Sequence, residues 1–84
     1  MDELTRKINR LVELMPTLQR YSVVLLAYLL AKDPEGMGIS LKQWYIMDKT
    51  GLCQRSLQLA IKQLEDMGLL ERKGTRSAEF IALL

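Results

Sequence analysis

Residues 40–68, SLKQWYIMDKTGLCQRSLQLAIKQLEDMG, read as two helices broken by a tight turn. Ser40 is a good N-cap, and Gln43 three residues later completes an S-x-x-Q capping box. The first helix is expected to run through Trp44 and Met47 to about Lys49. Gly51 stands where a helix C-terminus favours a residue that tolerates positive φ. The second helix is expected to start near Cys53, because Leu57, Ala60, Ile61 and Leu64 recur at helical spacing as one apolar stripe. Gly68 closes it as a C′ residue.

A short helix, a brief turn containing Gly and a longer helix form the signature of a helix-turn-helix. Through Thr50-Gly51-Leu52, Ser56-Leu57, Ala60-Ile61, Leu64 and Met67-Gly68-Leu69-Leu70-Glu71, the chain resembles the winged helix-turn-helix family of bacterial, phage and plasmid DNA-binding proteins. The resemblance covers roughly residues 18 to 84. It implies a mainly α fold with a small β-hairpin, preceded by an N-terminal amphipathic helix. It also implies sequence-specific binding to double-stranded DNA. A recognition helix over about residues 53–67 would enter the major groove. A wing over about 69–84 would lie on the backbone or in the minor groove. The implied role is that of a transcriptional regulator or a plasmid or phage maintenance factor.

Composition sets the frame around this motif. Eighty-four residues make one domain, with 49% apolar residues to supply a core. The core must be largely aliphatic, since the aromatics are only Trp44, Tyr21, Tyr28, Tyr45 and Phe80. A net charge of +2 permits a nucleic-acid partner without demanding one. Cys53 is the only cysteine, which rules out an intramolecular disulfide and is expected of a cytoplasmic protein. Its expected state is a partly buried, inert thiol. The chain has no histidine, so the commonest metal ligand and general base are missing. There is no Gly-rich phosphate loop, ligand cluster or nucleophile motif either. The expectation is a protein that is not an enzyme and uses no metal or cofactor. The apolar run from Val23 to Ala31 is too short to span a bilayer.

Outward from the motif, residues 1–16 are read as an N-terminal segment and 17–84 as the helix-turn-helix domain, with no second domain after it. Leu4, Ile8, Leu11, Met15 and Leu18 follow heptad spacing, while Arg6, Lys7, Arg10 and Glu13 take the other face. Leu4, Ile8, Leu11 and Met15 are therefore candidates for dimerisation, consistent with paired half-sites on DNA. The alternative is a helix that covers its own domain. Pro16 interrupts this helix, and the next is expected over residues 17–32 as a buried one. On it, Tyr21 and Tyr28 should pack in the core with their hydroxyls reaching solvent. Asp33 to Gly38 form a turn-rich connector, and Gly38-Ile39-Ser40 is a candidate strand. Leu41, Trp44, Tyr45 and either Ile46 or Met47 are expected to face inward. Beyond Gly68, residues 69–73 and 78–84 read as two strands joined by Gly74 to Ser77, with Phe80 packed on the helices.

The chemistry lies on what remains of the second motif helix once its apolar stripe is removed. Arginine pairs bidentately with guanine and glutamine with adenine, so Gln54, Arg55 and Gln58 are the candidates for base contacts. Ser56 and Lys62 are assigned to the DNA backbone, and Leu59 to a thymine methyl or plain exposure. Gln63 and Asp66 lie further round the same outer face. Lys42 and Lys49 flank the motif, and Arg72, Lys73, Thr75 and Arg76 put basic and polar groups on the hairpin. Any amphipathic helix carries polar residues on one side, so their co-location with these basic groups is what favours DNA. The expected partners are double-stranded DNA and a second copy of the chain, without membrane or small-molecule effector. The alternative function is a winged-helix protein-interaction module within a larger complex.

Overall fold

The computed structural model describes residues 2–73 and 79–84. Four α-helices, α1 (Glu3–Leu14), α2 (Arg20–Lys32), α3 (Gln43–Thr50) and α4 (Gln54–Asp66), pack with three short strands, β1 (Ile39–Ser40), β2 (Leu70–Lys73) and β3 (Glu79–Ala82). The fold is mainly helical with a small antiparallel sheet. In it β3 is central, flanked by β1 and β2. Ile39 stands opposite Phe80 on one side, and Arg72 stands opposite Phe80 on the other.

The core forms where the stripe of α4 meets α2. Leu57, Ala60, Ile61 and Leu64 are all buried, as their spacing predicts, against Leu25, Leu26 and Leu29. Phe80 and Ala82 close the core from the sheet, leaving Leu83 exposed and Ile81 half-buried. A polar tie reinforces the α2–α4 contact. Gln63 turns inward rather than lying on the outer face, and its Oε1 accepts from the Ser22 hydroxyl and from the Gln19 amide at 3.1 Å. The turn between α3 and α4 depends on Gly51, whose φ of 76° is a left-handed conformation that side chains resist.

Several local expectations are corrected. Ser40 is not the cap of α3, because pairing with Glu79 draws it into β1. The helix instead starts at Gln43, with Lys42 as an N-cap that supplies no side-chain acceptor. Ile46 is the residue of α3 that is fully buried, and Trp44 is 65% exposed. Two steps along a helix rotate a side chain by about 200°, so burying Ile46 turns Trp44 outward. Thr17 does not open α2 either. Its hydroxyl bonds back to the Leu14 carbonyl at 2.7 Å, closing a 3-10 turn over Met15–Thr17, and α2 begins after an extended Leu18.

The N-terminal helix is capped by Asp2, whose carboxylate accepts from the Thr5 amide at 2.7 Å. That hydrogen bond holds the Asp2 carboxyl below its ordinary value. Two residues of α1 are buried against the domain. Leu11 is 7% exposed and joins the core. Lys7, expected on the solvent face, is buried, and its ammonium donates to the Pro34 carbonyl at 2.8 Å. The Asp33 carboxylate organises the same connector by accepting from the Met37 and Gly38 amides. The Tyr28 hydroxyl does not reach solvent. It is buried with no hydrogen-bond partner among the described residues, and burial raises its pKa, with a smaller contribution from Tyr45.

Candidate nucleic-acid interface

The outward side of α4 begins at an unusual cap. Cys53 is exposed, not partly buried, and its Sγ accepts from the Ser56 amide at 3.4 Å. In return the thiol donates to the Ser56 hydroxyl at 3.2 Å. Once ionised, the sulfur accepts from the Ser56 hydroxyl as well as from its amide, and these contacts, the side-chain one first, pull the thiol pKa below its usual value. Sulfur is a weak acceptor, yet here it satisfies one of the free amides of the first turn. Ser56 is thereby half-buried and engaged in the cap.

Past this cap the polar side chains fan out into solvent. Gln54 and Arg55 are exposed in the first turn, Gln58 in the second, and Leu59 and Lys62 beyond them. Gln58 and Lys62 meet Arg72 of β2 in an open recess of about 320 Å³, which also takes in Gln43, Ile61, Glu65 and Asp66. The recess carries both signs of charge. Arg72 faces Glu65 at 3.8 Å, a contact between exposed groups that contributes little to stability. Lys73 is exposed at the end of β2, next along the strand.

Not every predicted residue joins this surface. Lys49 lies over the Tyr45 ring at 5.5 Å, a cation–π contact within α3. Lys42 lines a separate groove with Lys32, Ser40, Leu41, Trp44 and Tyr45. Thr75 and Arg76 lie outside the described residues. What the sequence reading missed was Gln43, which enters the recess because α3 starts at it and does not bury it.

The dimerisation candidates divide as well. Leu4, Ile8 and Met15 are exposed, while Leu11 belongs to its own core. Val12, 56% exposed, takes the place of Leu11 on the outward line. Leu4 and Ile8 border an apolar recess of about 350 Å³ completed by Leu11, Ala27, Leu30 and Ala31. The α2 side of this face is also apolar.

Among the described residues no three histidine, cysteine or carboxylate side chains gather as a metal site, and no helix is long and apolar enough to cross a membrane. Comparison of the chain with protein-family models, with curated proteins and with solved structures finds no match.

Proposed function

We propose that this chain is a winged helix-turn-helix protein that binds double-stranded DNA, with α4 as the recognition helix and the β2–β3 hairpin as the wing. The observation that carries the reading is the division of α4 into two faces. Its apolar stripe is fully used by the core, while Gln54, Arg55, Gln58 and Lys62 are exposed along the other side of the helix, which starts directly after a three-residue turn. Those are the residue types that read base edges and hold phosphates. The order α2, β1, α3, α4, β2, β3 and the central position of β3 agree with the winged arrangement. Arg72 and Lys73 supply positive charge on the strand leading into the wing.

In this reading Gln54, Arg55 and Gln58 contact bases, Lys62 and Lys73 contact phosphates, and Ser56 serves the helix cap. The protein acts as a homodimer, so that two recognition helices engage paired half-sites. Leu4, Ile8, Val12 and Met15 supply the subunit contact, flanked by Ala27 and Ala31. Exposed apolar side chains are ordinary when scattered, but three on α1 with Met15 just past its end form a patch. The role is control of transcription or maintenance of a plasmid or phage, and it is not catalytic.

The test is a salt titration of binding to random-sequence duplex DNA, run beside an Arg55→Ala/Lys62→Ala double variant. Affinity that falls steeply with salt and is lost in the variant is the expected result. No binding at low salt by the folded protein would remove DNA as a partner. Sedimentation equilibrium of wild type and Ile8→Asp tests the dimer, and a wild-type monomer at all concentrations would sink it.

A further inference from the structure

The groove beside Trp44 shares no lining residue with the α4 recess. It encloses about 280 Å³ between the last residue of α2, the end of β1 and the first turn of α3. Leu41, Trp44 and Tyr45 make its apolar surface, and Lys32 and Lys42 stand at its margin with Ser40. The indole packs edge-on against Tyr45, with 5.9 Å between ring centroids and 80° between planes. This contact restrains the ring while leaving most of it in water.

Two features say what this groove receives. The first is its charge. Among the described residues the charged groups that line it are two lysines and no carboxylate does, in contrast to the mixed recess on α4. The second is its polarity. The two ammonium groups, the Ser40 hydroxyl, the Tyr45 phenol and the Trp44 indole N–H are its polar side-chain groups, and none is an amide or guanidinium fork of the kind that reads a base edge. An apolar recess with an exposed tryptophan and a cationic margin suits a large apolar side chain flanked by carboxylates. Tryptophan is also among the residues that most often anchor protein contacts.

We propose that this groove docks an acidic segment of a partner protein, seating one large apolar side chain against Trp44 and Leu41 and pairing flanking carboxylates with Lys32 and Lys42. The site is independent of the DNA reading, and either can stand without the other.

Trp44 is the only tryptophan of the chain, so its emission reports the groove directly. The experiment selects short random peptides on the whole protein, synthesises the enriched sequences with a fluorescent label, and measures binding by anisotropy. The expected result is enrichment of a large apolar residue flanked by Asp or Glu, with a blue shift of Trp44 emission on binding. Trp44→Ala and, separately, Lys32→Glu should each weaken binding about tenfold or more. Both side chains are exposed, so melting curves should show both variants folded. Enrichment of no common pattern, or binding that survives both substitutions, would overturn the proposal. So would displacement of the peptide by random-sequence duplex DNA together with weaker DNA binding by Trp44→Ala, which would give the groove to nucleic acid.

Discussion

Lys7 and Pro34 join α1 to the connector after α2, with the buried ammonium 2.8 Å from the carbonyl it donates to. A charged donor left in water would gain little from such a bond. Out of solvent, a hydrogen bond from a charged group contributes about 1.5–3 kcal/mol. Lys7→Met keeps the aliphatic stem and removes the donor, so it should lower unfolding stability by about 1–3 kcal/mol in denaturant titrations. Amide exchange should then rise in α1 more than in α4. Uniform loss of protection across both helices would show that α1 is not a separately anchored unit.

The Gln63 carboxamide oxygen serves both the Ser22 hydroxyl and the Gln19 amide, and Ser22 is fully buried. Gln63→Ala leaves that hydroxyl without its acceptor and should cost about 1–3 kcal/mol. The double variant Ser22→Ala/Gln63→Ala removes both partners, so it should cost less than the sum of the two single changes. A thermal denaturation double-mutant cycle reads the coupling directly, and strict additivity would contradict it.

Tyr28 offers the reverse case, since its hydroxyl is buried and unpaired among the described residues. Tyr28→Phe deletes a polar group that folding has stripped of water. Stability should rise by about 1 kcal/mol, seen as a higher midpoint with an unchanged denaturant slope. A fall in the midpoint would mean that the hydroxyl has a partner in the folded protein.

Cys53 titrates in a way that its cap dictates. Hydrogen bonds with Ser56 lower the thiol pKa in the folded chain, so the thiolate forms at lower pH than in the unfolded chain. Ionisation therefore favours the folded state above the unfolded thiol's pKa, and this contribution fades as pH falls through the folded value. Alkylation by iodoacetamide should show a midpoint below that of the denatured protein, and Ser56→Ala should move it upward. Coincident midpoints for native and denatured protein would contradict the assignment.

If α4 reads bases, Arg55→Ala should cost about 1–3 kcal/mol on a preferred site and relax preference at one position. Lys73→Ala should weaken all sequences alike and reduce the salt slope by about one unit. Equal loss on every sequence in the Arg55 variant would take base reading away from that residue and leave DNA binding in place.

The α4 stripe and the hairpin were legible in the sequence because one rule decided each of them. Leu57, Ala60, Ile61 and Leu64 keep helical spacing, and all four are buried. The glycines at 51 and 68 mark where helices end, and both have positive φ. Errors arose where a long-range contact outvoted a local signal. Ser40 is a sound cap by local chemistry, but Glu79 of the distant strand β3 claims it. Lys7 reads as surface by its charge, yet a backbone carbonyl contributed by the α2–β1 connector pairs with it in the interior. Of the proposed DNA surface, the exposed polar face of α4 follows from subtracting the stripe. The contributions of Gln43 and Arg72 depend on how α3 and the sheet pack on α4, which no spacing encodes.

The central position of β3 also sets an order of events during folding. Among the described residues both β1 and β2 pair with β3 alone, and β3 follows the four helices and both other strands in the chain. The helices can therefore meet while neither β1 nor β2 yet has its partner. Until Phe80 docks, the apolar surface it covers is open, and the folding chain passes through an interval in which chaperone binding or misassociation competes with closure. A chain truncated before residue 79 should thus be a helical, sticky species, and the chain through residue 84 should be compact.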